Sequence, residues 1–82
     1  MSINNNKPDQ YRTRDLAESA TIFLLGQQLI NIERINGVCW FIFEDLNKCK
    51  EISNNFWFGK CTVNAKDYYD TINKLKNRIF SI

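Results

Sequence analysis

The chain of 82 residues contains no histidine, one proline, three glycines and three cysteines. Without histidine it lacks the commonest general base and the commonest metal ligand. Cys39, Cys49 and Cys61 are odd in number, widely spaced and never form a Cys-x-x-Cys pair. A zinc site would need carboxylates to complete it, which structural zinc sites rarely use. The three read instead as reduced thiols packed as small apolar groups. No Gly-rich loop precedes a helix-like segment and no Gly-x-Ser-x-Gly occurs, which removes phosphate-loop and nucleophile-elbow enzymes. The longest apolar run, Val38 to Phe43, is far shorter than a membrane span. The polar stretch Met1 to Pro8 is unlike a signal peptide. These absences predict a cytoplasmic, non-enzymatic chain with no metal, no cofactor and no membrane contact.

What is present is enough for a core. Apolar residues make up 44% and aromatics 13% of the chain, too rich for a disordered segment. The length fits one domain that buries roughly 60–65% of its unfolded surface. The formal net charge of +2 is mild but unevenly spread. Lys7, Arg12 and Arg14 outnumber Asp9 near the start. Residues 15–59 are acidic on balance, and residues 60–82 carry Lys60, Lys66, Lys74, Lys76 and Arg78 against Asp67 and Asp70. Both ends are therefore basic and the middle is acidic.

Residues 1–10, polar and broken by Pro8, read as a flexible arm before a single domain over 11–82. A first helix is expected from a Thr13 N-cap, with Asp15 in its first turn and Leu16, Ala20, Phe23 and Leu24 at helical spacing. Gly26 is its expected stop. The sharpest local signal is Asn36-Gly37 between Leu29–Ile35 and Val38–Glu44, the preferred pair for a two-residue type I′ hairpin turn. That turn sets Ile35 opposite Val38, Arg34 opposite Cys39, Glu33 opposite Trp40, Ile32 opposite Phe41 and Ile30 opposite Phe43. Ile30, Ile32, Cys39, Phe41 and Phe43 form the expected core face. Leu29, Ile35, Val38, Trp40 and Ile42 lie on the other, which is too apolar for a simple solvated face.

A second helix is expected from about Leu46 to Phe56, capped by Asp45 or Asn47. Phe56-Trp57-Phe58-Gly59 ends it, and three adjacent aromatics cannot all point inward from one turn. Residues 60–63 are either a short third strand or an extended link. The last helix follows an Asn64 cap, with Ala65, Tyr68, Tyr69, Ile72, Leu75 and Ile79 as its apolar stripe. The order α-β-β-α-(β)-α gives an α+β fold, a β-hairpin packed against two or three helices.

Several of these residues carry a family likeness. Tyr11-Arg12-Thr13-Arg14-Asp15-Leu16, Gly26 to Leu29, Ile32-Glu33-Arg34 and Gly37 leading into Phe41-Ile42-Phe43-Glu44-Asp45 resemble an uncharacterised family of short bacterial and phage domains. The likeness continues through Trp57-Phe58-Gly59, Val63, Tyr69 and Leu75-Lys76, covering most of residues 11–80. It implies a phage or mobile-element setting and supplies no activity or site.

Two surfaces are candidates for function. Glu44 and Asp45, at the end of an apolar strand, look superficially like catalytic acids, but without a phosphate loop they read as a strand end and a helix start. The first surface is basic: Lys66, Lys74, Lys76 and Arg78 on the last helix, with Arg12 and Arg14 from the start of the domain. Such cations suit phosphates, and Asn73 and Asn77 suit base edges. The expectation is a small binding module that contacts nucleic acid. The alternative is a protein-interaction module, a homo-oligomer or an inhibitor or adaptor of a host protein, using Ile35, Val38, Trp40, Ile42 and Trp57.

Overall fold

The computed structural model describes residues 9–82; the expected arm over 1–10 lies almost wholly outside them. The elements are β1 (Tyr11–Thr13), α1 (Leu16–Leu24), β2 (Leu29–Ile35), β3 (Val38–Phe43), α2 (Leu46–Trp57) and α3 (Ala65–Phe80). The α+β class stands, with an antiparallel sheet in the order β1-β3-β2. Its third strand is Tyr11–Thr13, and residues 60–63 form the extended link. Thr13 therefore closes a strand, and Asp15 is the N-cap of α1, its Oδ1 accepting from the Glu18 amide at 2.8 Å. Asp45 and Asn64 cap α2 and α3 in the same way, satisfying donors that each helix start leaves free.

The hairpin turn adopts positive φ at both centres, 51° at Asn36 and 81° at Gly37, as a type I′ turn requires. Pairing from Ile35–Val38 through Ile32–Phe41 follows the expected register. Asn31 opposite Ile42 still keeps to it, and the shift comes next: Leu29, not Ile30, stands opposite Phe43. Ile30 is the extra residue of a bulge, and 42% of its surface is exposed. A bulge reverses which residues face the core beyond it, so Leu29 takes the place expected for Ile30.

The helices form one layer over one side of the sheet. α1 is central and touches both α2 and α3, and α2 also reaches β1. On the opposite flank the Arg34 guanidinium of β2 donates to the Ile79 carbonyl near the end of α3 at 3.0 Å, a favourable place for a cation. The core joins Ala20, Ile22, Phe41, Phe43, Cys49 and Leu75, with Leu16, Phe23, Leu29, Ile32, Ile52 and Ile72 packed around it. Phe41 and Phe43 are its largest fully buried side chains.

Candidate nucleic-acid interface

α3 presents the longest continuous solvent-facing side of the helix layer. Thr71 and Leu75 are buried, with Tyr68, Ile72 and Ile79 partly so. These fix the inward direction at 100° per residue. Lys66 and Asn77 then lie on the ridge farthest from the core, with Asn73, itself partly buried, on the flank beside it. Tyr69, Lys76 and Phe80 line one flank, and Lys74 and Arg78 the other. Tyr69 is 64% and Phe80 81% exposed. The apolar stripe expected from sequence included Tyr69, and the structure corrects that: it sits one 100° step beyond Tyr68, off the inward arc. Phe80 lies on the same flank, outside that stripe. The spacing of 69, 73, 76 and 80 was the signal available for both.

The cations on this helix are only lightly engaged. Lys66 pairs with Asp70 at 2.7 Å, both well exposed, and Lys74 lies 5.6 Å from the centroid of Phe23. An exposed i,i+4 ion pair is worth about 0.3–0.5 kcal/mol and an exposed cation–π contact about 0.5–1 kcal/mol. Either is readily exchanged for a phosphate. Arg78 borders a cleft with Leu29, Ile32 and Ile82.

Arg12 and Arg14 are elsewhere. They stand at the outer side of the sheet, each about 6 Å from the Trp40 ring centroid, at 5.9 and 6.0 Å. Arg12 also pairs with Glu33 at 3.2 Å. The structure thus separates them from α3 by the thickness of the sheet. Ile35, Val38, Trp40 and Ile42 share this outer side and are not members of the core cluster. Trp40 lies beneath the two guanidinium groups, and Ile42 is only 3% exposed. Trp57 is on α2 instead, with Phe56 turned edge-on to it at 5.0 Å. Of the three adjacent aromatics, Trp57 and Phe58 point outward.

Inside, β1 is tied to α1 and α2 by hydroxyls around a buried carboxylate. Glu18 is 3% exposed. Its Oε1 accepts from Thr13 Oγ1 and its Oε2 from Tyr11 Oη, both at 2.6 Å. Tyr11 and Ser53 hydroxyls are 3.0 Å apart; a phenol has one proton, so Ser53 donates in this contact. Burial, then Glu18, holds the Tyr11 pKa above the ordinary phenol value. The buried Cys49 thiol is pushed up to about 11, by burial first and by Asp45 and Glu18 next. It donates to the Glu44 carbonyl at 3.2 Å. At neutral pH it is a thiol, and the thiolate is the reactive form. Both carboxylate oxygens of Glu18 are already occupied, so the geometry makes this cluster a fastening for β1.

Among the described residues no three His, Cys, Asp or Glu side chains converge as a metal site, and no helix is long and apolar enough to cross a membrane. No curated protein and no solved structure matches the chain. A family model matches residues 9–81, nearly all of the sequence, and the chain belongs to that family, DUF5659, a domain of unknown function.

Proposed function

We propose that this chain is a non-catalytic binding module that holds single-stranded nucleic acid along the solvent side of α3. The observation that carries this reading is the exposure of Tyr69 and Phe80 on the flank that also bears Asn73 and Lys76. Unpaired bases stack on aromatic faces, lysines meet phosphates, and asparagine can read a base edge. A duplex offers no free base faces, so single strands bind more tightly than duplex. The setting we propose is the cytoplasm of a bacterial or phage system, on the strength of the motif likeness.

Fluorescence anisotropy with labelled single-stranded DNA and RNA tests it. With Lys66, Lys76 and Arg78 each meeting a phosphate, the log–log salt slope should be about −2. Stacking is worth about 1–3 kcal/mol per base, so Tyr69→Ala and Phe80→Ala should each weaken binding at least about fivefold. Both side chains are exposed, and the variants should fold. Unchanged affinity in the double variant, or a slope near zero, would refute the reading.

A second reading is favoured by the outer side of the sheet, where Arg12 and Arg14 flank Trp40 and Ile35 and Val38 lie alongside. Trp and Arg dominate protein-interface hot spots. Sedimentation of wild type and Trp40→Glu tests whether a second copy uses this face. A dimer that the substitution dissociates would support it, and a monomer in both cases would remove self-association.

A further inference from the structure

α2 bears a polar groove of a different kind. Lys50, Ser53, Asn54 and Trp57 lie at i, i+3, i+4 and i+7 and share one side of the helix. With Tyr11 they line an open groove of about 500 Å³, within the roughly 300–1,000 Å³ usual for small-ligand sites. Its floor is fixed and its rim is free. Ser53 is buried, and its hydroxyl and that of Tyr11 are already committed in the chain that ends on Glu18. At the rim, Lys50, Asn54 and Trp57 are exposed. Among the described residues no hydrogen bond or ion pair engages the Lys50 ammonium or the Asn54 amide.

We infer that this groove takes one nucleotide unit, with its base over Trp57, the base edge at the Asn54 amide and its phosphate at Lys50. The order of groups along the helix carries the assignment. An aromatic face stands at one end and an ammonium at the other, about 10 Å apart along the axis. Between them, an amide offers both donors and an acceptor. That sequence of π-face, hydrogen-bonding edge and cation matches base, base edge and phosphate. A neutral sugar would leave Lys50 without a role, and a simple carboxylate would leave Trp57 without one. The Glu18 carboxylate behind Tyr11 disfavours an anion at mid-groove and so directs the phosphate to the Lys50 end. The site is separate from α3 and stands whether or not α3 contacts a strand.

The test is a two-dimensional NMR titration of the labelled chain with AMP, adenosine, inorganic phosphate and a six-residue oligo(dA). AMP should move the Asn54 side-chain amide, the Trp57 indole and the backbone of 50–57. Losing the phosphate, as in adenosine, or substituting Lys50→Glu or Trp57→Ala should each weaken binding about tenfold, equivalent to about 1.4 kcal/mol. All three rim side chains are exposed, so the variants should keep the wild-type spectrum elsewhere. The Tyr69→Ala/Phe80→Ala variant should bind AMP as wild type does, which separates this site from the α3 reading. Tighter binding of oligo(dA) than of AMP assigns the unit to a strand, and the reverse assigns it to a free nucleotide. Absence of shifts at 50–57 up to about 10 mM AMP, where any affinity above about −3 kcal/mol would register, would overturn the inference. So would adenosine binding as well as AMP, or the two α2 variants binding AMP unchanged.

Discussion

Replacing Tyr11 by phenylalanine removes one oxygen and leaves the ring, so it isolates the hydroxyl that joins β1 to α1 and α2. That oxygen donates to Glu18 Oε2 at 2.6 Å and contacts Ser53 Oγ at 3.0 Å. Glu18 is 3% exposed, so water cannot replace the lost donor without opening the core. A hydrogen bond to a charged group is worth about 1.5–3 kcal/mol, and an orphaned buried acceptor adds its desolvation cost. The expected loss is about 2–3 kcal/mol, against about 4–12 kcal/mol for a domain of this length. Urea denaturation followed by circular dichroism should show a lower midpoint with an unchanged slope, because the surface exposed on unfolding hardly changes. A double-mutant cycle with Glu18→Gln apportions the effect, and a coupling of about 1 kcal/mol or more is expected for groups in direct contact. A loss below about 0.5 kcal/mol, typical of a surface substitution, would refute the reasoning. It would mean that Glu18 is solvated and that the three-residue strand is held by its ladder alone.

Three further outcomes are expected from the packing and the hairpin turn. Both Cys49 and Tyr11 have pKa values raised on folding, so the unfolded chain releases their protons first as pH rises. Through Cys49 stability should start to fall near pH 9 and go on falling to about pH 11, and through Tyr11 it should fall only above about pH 10, by up to about 1.4 kcal/mol per pH unit for each group; a Cys49→Ala variant with an undiminished slope between about pH 9 and 10 would contradict this. Leu29→Asn should cost about 2 kcal/mol in a urea melt and Ile30→Asn less than about 0.5, since burial governs the loss; equal losses would restore the unbulged register. Gly37→Ala forces a Cβ into φ of 81° and should cost about 1–2 kcal/mol, whereas a neutral result would show the turn relaxing to another type.

The sequence made some of this legible and hid the rest for identifiable reasons. Asn36-Gly37 specifies a hairpin because few other pairs accept two positive φ values, and the pairing out to Ile32–Phe41 follows from that turn alone. The bulge was hidden because Leu29 and Ile30 are both apolar, and only the fit against Phe43 chooses between them. β1 was hidden because three residues are too few to show alternation, and its partners lie in a strand some 30 residues away. Thr13 misled for a chemical reason: its hydroxyl accepts from the Asp15 amide at 3.1 Å, so it resembles a helix cap while serving Glu18. The basic helix was legible as a charge pattern. Its aromatic flank was not, since Tyr68 and Tyr69 are adjacent and only the packing of α3 tells which one faces in.

The distribution of aromatics gives the strongest reason to look for partners on the helix layer. Phe41 and Phe43 are the two fully buried aromatics among eleven. Trp57, Phe58, Tyr69 and Phe80 are all more than 60% exposed. Folding draws little from these four, yet covering each with a ligand would add about 1.5–3 kcal/mol. A small domain with a limited core would gain stability by turning such side chains inward. Here they stand instead at the end of α2 and along α3, within a turn or two of Lys50, Lys66 and Lys76. Aromatic faces interleaved with lysines serve recognition better than they serve the core. On the outer side of the sheet the pattern is reversed, because Arg12 and Arg14 already occupy the face of Trp40. A ligand reaching Trp40 must first displace two cation–π contacts, whereas Tyr69 is largely exposed and Trp57, though it meets Phe56 edge-on, keeps most of its surface exposed. That difference is the reason we propose the helices, and not the outer side of the sheet, as the place of the primary contacts.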